Sequence, residues 1–310
     1  MKAYIIKRVF LLLFLVAAVS TIVFFLLHVV PGDPVYTALG PGAAGEDILR
    51  LHRELNLDKP LISQYLDFLK NLGDLSFGKA ISNGRNVMDN ILPVLPYTVY
   101  LAVTAMLLGL AVSLPLGVWA AFKENSGIDL SITFFSSAAL ALPAFFLGPL
   151  LIMLFSIKLG WLPVSGSDSV KHLILPALTL GTGVSAYLTR IVKSAVGMEL
   201  EKPYILLAIA KGLSPRQIFF RHLFKNALIP IVTTGGLQLG ALLSGAIITE
   251  TVFSWHGIGS LLVEAIKQRD YPMVQGIVLF ITFAYLTLNF LVDMSYFFID
   301  PRIRHELKKR

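Results

Sequence analysis

Twenty-two consecutive residues, Val9 to Val30, contain no lysine, arginine, aspartate or glutamate. At the rise of an α-helix such a run reaches roughly 30 Å, the thickness of the hydrocarbon layer of a bilayer. Comparable runs follow from about Tyr97 to Phe122, Leu130 to Ile157, Leu173 to Val196, Leu228 to Thr251 and Met273 to Ile299. Backbone polar groups in lipid must be satisfied within the segment, so these runs predict an all-α membrane protein with six transmembrane helices. Only 15% of the residues are charged, against roughly 25% in soluble domains, which excludes a soluble fold. Lys2, Lys7 and Arg8 precede the first run as they would in a signal peptide. Pro31-Gly32-Asp33-Pro34 follows it, however, with no small-x-small cleavage site, so the run reads as a retained first span.

Charge assigns the sides. With the N-terminus in the cytoplasm, the inner segments hold 16 of the 26 lysines and arginines; of the other 10, six lie in the long loop after the first span. Among the short loops the bias is therefore 16 to 4, which places both termini inside. The chain divides into a first span with its cytoplasmic N-terminus (1–30), an external segment (31–96), a core of five spans (97–299) and a cytoplasmic tail (300–310). The net charge of +7 follows from the same bias and, with no recognisable nucleic-acid module, gives no reason to expect nucleic acid. The chain has no cysteine, so disulfides, thiol catalysis and thiolate metal sites are absent.

Two local patterns stand out. In the external segment, "LNLDKPLISQYLDFLKNL" predicts a short amphipathic helix with Asp58 as N-cap, Pro60 near the first turn, and Leu61, Tyr65, Leu66 and Leu69 on one face. It suits a cap over the helix ends, a docking surface for an external protein, or both. In the fifth span, Gly236, Gly240 and Ser244 recur every four residues, and Ala241 and Gly245 repeat the spacing. Small residues let helices approach closely in lipid, where apolar side chains gain little by pairing. The stripe predicts close packing within the chain or against another subunit.

The most informative stretch is "AIAKGLSPRQIFFRHLFKNALIP", residues 208–230. Helix-forming residues run from about Tyr204 to Lys211. Gly212 can take the left-handed conformation that ends a helix, and Leu213 follows. Ser214 is then an N-cap, Pro215 a first helical residue, and Gln217 completes a Ser-x-x-Gln capping box. Helix, tight turn, helix is the expected order. The second helix is two-faced: Phe219, Phe220, Leu223, Phe224 and Ala227 on one side, Gln217, Arg221 and Lys225 on the other. It suits a helix lying on the membrane surface before Pro230 with its cations on anionic lipid, or a rigid bent peg for a cleft in a cytoplasmic protein.

The same stretch resembles the cytoplasmic coupling loop of ATP-binding-cassette importer permeases of the dipeptide, oligopeptide and nickel branch. "IKRVFLLLFLVAAVSTIVFFLLHVVPGDPV", "LNLDKPLISQYL", "GDLSFG", "ETVFSWHGIGSLL", "RDYPMVQG" and "IDPRIR" resemble further parts of that branch, nearly end to end. Two places depart from its pattern. Leu206-Leu207-Ala208 stands where a broader pattern often has Glu-Ala-Ala, and His256 stands where Pro usually precedes Gly257-Ile258-Gly259.

The resemblance implies a non-catalytic permease subunit in a bacterial or archaeal cytoplasmic membrane. It implies a second homologous permease, two cytoplasmic ATPases, an extracytoplasmic substrate-binding protein and surrounding lipid as partners. Its coupling loop, residues 199–227, implies an ATPase contact at Ala208, Ala210, Lys211, Gly212, Leu213, Ser214, Pro215, Arg216, Arg221 and Lys225. Glu250, Phe253, Trp255, Gly257 and Gly259 would belong to an outer gate, with the glycines making its turn. The cargo would be a di- or oligopeptide, or alternatively nickel or a metal chelate.

The residues themselves contain no phosphate-binding loop: Gly78-Lys79 is followed by Ala80, where that motif requires serine or threonine. No cofactor or metal site is expected. The rival class, a stand-alone ion-driven carrier or channel, usually carries ionisable residues deep in its spans, and here these are few.

Overall fold

A computed structural model of the chain describes residues 2–29, 32–40, 42–73 and 77–299. The expected tail, 300–310, lies outside them. The described residues are mainly helical: α1 (Lys2–Val29), α2 (Pro34–Leu39), α3 (Gly45–Glu54), α4 (Leu61–Gly73), α5 (Val87–Phe122), α6 (Gly127–Ala141), α7 (Ala144–Leu151), α8 (Val170–Leu200), α9 (Pro203–Ala210), α10 (Pro215–Ile218), α11 (Phe224–Gly245), α12 (Ile247–Val252), α13 (Ile258–Lys267) and α14 (Tyr271–Ile299), with π-helical stretches at Ile152–Lys158 and Phe219–Leu223. The β-type pairing among them is a single bridge between Lys79 and Asn86.

Four stretches are long and apolar enough to cross a membrane unaided: Arg8–Val29, Val87–Phe122, Phe224–Leu243 and Tyr271–Met294. The third expected span is not one straight rod. α6 and the stretch Ala144–Lys158 meet at 97°. Pro143 enforces the break: it lacks an N–H, and it drives Leu142 into an extended conformation (φ −85°, ψ 112°). The fourth expected span lies in α8, which does not reach the same apolarity. α8 packs against α6, α7 and α11 and buries Leu175, Ala177, Val184, Leu188, Val192 and Val196. A helix that packs one side against protein does not need an apolar surface all round.

The chain divides into two compact units, one of Lys2–Thr98 with His256–Leu286, the other of Val99–Trp255 with the stretch from Thr287. In the first, Phe24 of α1 lies 5.2 Å from Tyr65 and 5.5 Å from Phe68 of α4, ring centre to ring centre. Thr21 shares a 2.7 Å hydrogen bond with the Tyr65 hydroxyl. Helix α4 thus lays Tyr65 and Phe68 on α1, while Leu61 and Leu66 stay exposed. It begins at Leu61 rather than at the cap expected from Asp58. Asp33 caps α2 through the Val35 amide (2.8 Å) and meets His52 of α3 at 2.8 Å. Buried Asp270 accepts from the amides of Ser82 (2.9 Å) and Met273 (3.1 Å), tying the loop before α5 to the start of α14.

The second unit is built on close backbone approach. A Cβ at Gly109 would lie 2.5 Å from a Val184 methyl, one at Gly117 2.8 Å from the Thr189 carbonyl, and one at Gly181 3.2 Å from the Ala105 carbonyl. Small residues therefore let α5 and α8 touch nearly backbone to backbone. The fifth-span stripe is also used within the chain: a Cβ at Gly236 would come 2.2 Å from Val292 of α14. Gly240 is buried, and the side chain of Ser244 lies outside the described residues.

Candidate functional site

The hairpin forms from local rules. Gly212 ends the first arm with φ +78°. The Gly212 amide donates to Ile209 O (2.9 Å) and the Leu213 amide to Ala208 O (3.2 Å), the paired bonds of a Schellman motif. The capping box closes in both directions: the Ser214 amide donates to Gln217 Oε1 (3.0 Å), and the Gln217 amide to Ser214 Oγ (3.4 Å). The turn is thus satisfied by its own residues, with nothing within 4 Å of a Cβ placed on Gly212.

The two arms share a core. Ile205 and Ala208 of the first arm and Ile218, Leu223 and Ala227 of the second pack with Ala121, Val192, Val196 and Ile231, and Leu213 joins from the turn. Ala208 is 5% exposed, so it serves the hairpin's own packing, whereas Ala210 is exposed. The Asn226 amide donates to the Tyr204 hydroxyl at 2.9 Å, linking the arms on the exposed side. Desolvation pushes the Tyr204 phenol above its ordinary value, and the Asn226 hydrogen bond opposes that shift. The Lys202 ammonium anchors the base of the first arm on Glu199 at 2.9 Å.

The second arm does not end before Pro230. Helical backbone continues from Pro215 through a π-helical stretch, Phe219–Leu223, into α11 and past Pro230. The side chain of Pro215 lies outside the described residues. A π turn inserts a residue and shifts the phase of the faces, which splits the expected apolar side. Leu223 and Ala227 are buried, while Phe220 is 63% exposed. Leu206, Leu207, Ile209 and Phe220 stay exposed in the hairpin. Lys211, Arg216, Arg221 and Lys225 are exposed too, and none of the four has an ion pair among the described residues. The hairpin presents an apolar surface with cations on the same element, held on a rigid base.

The segment from Glu250 differs from expectation in one respect. Glu250, Phe253 and Trp255 are buried, and the Trp255 amide donates to Glu250 O at 2.8 Å. The Gly166 amide donates to Phe253 O at 2.9 Å, and the Phe253 ring lies 3.1 Å from a Cβ built on Gly148. Gly257 and Gly259 do not make the turn. Gly257 is extended (φ −103°, ψ 180°) and caps α13, and Gly259 is already helical. The left-handed residue is Ser254 (φ 49°), so the turn does not depend on glycine.

Asp129 and Lys193 were not singled out in the sequence. Asp129, near the start of α6, is 4% exposed and meets Lys193 of α8 at 2.5 Å. Asp129 is the one charged residue of α6, and a lone carboxylate in an otherwise apolar helix is the signal that points to a basic partner. A second missed signal is the spacing Ala105, Gly109, Ser113, Gly117 in α5, a four-residue repeat of small side chains as regular as that of the fifth span.

Comparison with known proteins matches residues 113–305 to the binding-protein-dependent transport system inner membrane component family, and residues 1–102 to the N-terminal family of such membrane components. The di/tripeptide transport system permease protein DppB of Pseudomonas aeruginosa is 40% identical, over 99% of this chain and 100% of that protein. The glutathione transport system permease protein GsiC of Escherichia coli K12 is 38% identical, over 99% and 100%. In fold alone, the chain is similar to the inward-facing MetNI methionine ABC transporter (TM-score 0.58, 17% identity, 69% of this chain and 97% of that one). It is also similar to an amino acid ABC transporter solved with histidines (TM-score 0.52, 16% identity, 67% and 93%). With both halves matched and full-length relatives at this identity, the chain belongs to the binding-protein-dependent transport system inner membrane components, as a permease subunit of an ABC importer.

Proposed function

We propose that this chain is one of two permeases enclosing the path of an ATP-driven importer for small peptides in a bacterial or archaeal inner membrane. In this reading it has six spans with both termini cytoplasmic, the fourth lying in α8. The hairpin at 199–227 docks in a cytoplasmic ATPase, and a second permease, homologous to this one, engages the other ATPase. Hydrolysis takes place in those partners, and the permease itself is non-catalytic.

The observation that carries the proposal is the hairpin's self-sufficient turn. A Schellman motif joined to a capping box makes a bent lever whose shape survives load, and Leu206, Leu207, Ile209 and Phe220 with Lys211, Arg216, Arg221 and Lys225 give it a surface to be gripped. Motion of the ATPases then moves the lever, and the spans rock as near-rigid bodies. The buried segment Glu250, Phe253 and Trp255, followed by Gly257 and Gly259, serves as part of the outer gate. An external binding protein delivers the cargo. Peptide is favoured over nickel because the full-length relatives are named for di/tripeptides and glutathione.

Gly212→Val tests the lever. A β-branched residue resists positive φ, and the space around Gly212 is open, so backbone conformation is what changes. The expected result is an inserted, assembled transporter that hydrolyses ATP without importing peptide. Normal uptake by that variant rejects the coupling role. Mass spectrometry of the ligand carried by the co-purified binding protein decides the cargo; a nickel chelate there would overturn the peptide assignment.

A further inference from the structure

We propose that the inner end of this chain binds one anionic phospholipid, with an acyl chain in an apolar groove between α5 and α11 and the headgroup against Lys123, Arg221 and Lys225. The groove has a volume of about 490 Å³. Leu114, Val118, Trp119 and Phe122 form one wall, and Phe224 and Ile231 the other; every residue lining it is apolar or aromatic. It lies wholly within the unit containing Val99–Trp255.

The occupant follows from the two ends of the site. Apart from the Trp119 indole N–H, such a lining gives no side-chain hydrogen-bonding partner to a peptide or nucleotide, but it matches a hydrocarbon chain. Trp119 is 52% exposed at its edge, in the position that tryptophan favours at a membrane interface. The Lys123 amide donates to Trp119 O at 3.1 Å, which sets Lys123 one turn beyond the indole at the helix end. Lys225 directly follows Phe224, and Arg221 lies three residues before it, within the π-helical stretch. All three cations are exposed, and none has a side-chain hydrogen bond or ion pair among the described residues. Unpaired bases beside an apolar slot at the inner surface fit an anionic headgroup. The groove's second wall is the hairpin's own second arm, so a lipid seated there braces that arm from the membrane side. Binding itself does not depend on the coupling role proposed above.

The test is native mass spectrometry of the purified transporter, with its co-expressed partners, after titration with phosphatidylglycerol or phosphatidylcholine. One phosphatidylglycerol per copy of this chain is expected, and little phosphatidylcholine. Lys123→Glu, at an exposed turn, lowers that retention by about tenfold, and Val118→Trp, which fills the groove, abolishes it. The intact mass of the complex reports that each variant still assembles. If Val118→Trp fails to assemble, Lys123→Glu decides alone. Equal retention of the two lipids, or retention unchanged in Lys123→Glu, overturns the proposal. So does a wild type that binds no lipid while Val118→Trp releases another permease chain, since the groove is then a subunit interface.

Discussion

Two turns in the same compact unit solve the same problem by opposite means. At Lys211–Ser214 the chain reverses in open space with a glycine in the left-handed region, and its hydrogen bonds run to neighbours a few residues away. At Phe253–Trp255 a serine takes the left-handed conformation. Phe253 and Trp255 are buried there, and the Phe253 carbonyl is held by Gly166, far away in sequence. The first turn carries its own shape and can be pushed without loss of form. The second borrows its shape from the packing around it.

The largest way to break that contrast is Phe253→Ala. The ring is 2% exposed, and emptying such a site costs about 3–5 kcal/mol; thermal unfolding of the detergent-solubilised protein should fall markedly. Gly212→Val should cost less, about 1–2 kcal/mol from the left-handed backbone alone, with little change in melting but loss of coupled uptake. Ser214→Ala removes one half of the capping box and should cost about 1 kcal/mol. Its effect should appear as faster amide exchange confined to the hairpin. Ser254→Gly has the smallest effect and the opposite sign. Relief of a strained serine should raise stability by about 0.5 kcal/mol. A loss there would show that Ser254, too, is held by its local sequence.

The hairpin was legible because each of its signals acts within a few residues. Gly212, Ser214 and Gln217 take the roles their chemistry assigns them whatever surrounds the segment. The left-handed turn at Ser254 could not be read in that way, because nothing in a serine announces positive φ and the glycines nearby are a stronger, misleading cue. The two small-residue stripes show the same limit. Spacing marks α5 and α11 alike as helices suited to close approach, but does not name the partner. The structure pairs Gly109 and Gly117 with α8, and Gly236 with Val292.

Sequence alone determined that this chain is helical and lives in lipid, because uncharged runs of that length have no other stable state there. It also determined the bent hairpin, whose bonds close locally. Tertiary structure decided that Ala208 and Phe253 face inward and that α8 can stay polar beneath its neighbours. It also decided that the arm after the hairpin changes phase through a π turn. Burial is a property of what packs alongside, and no residue carries that information by itself.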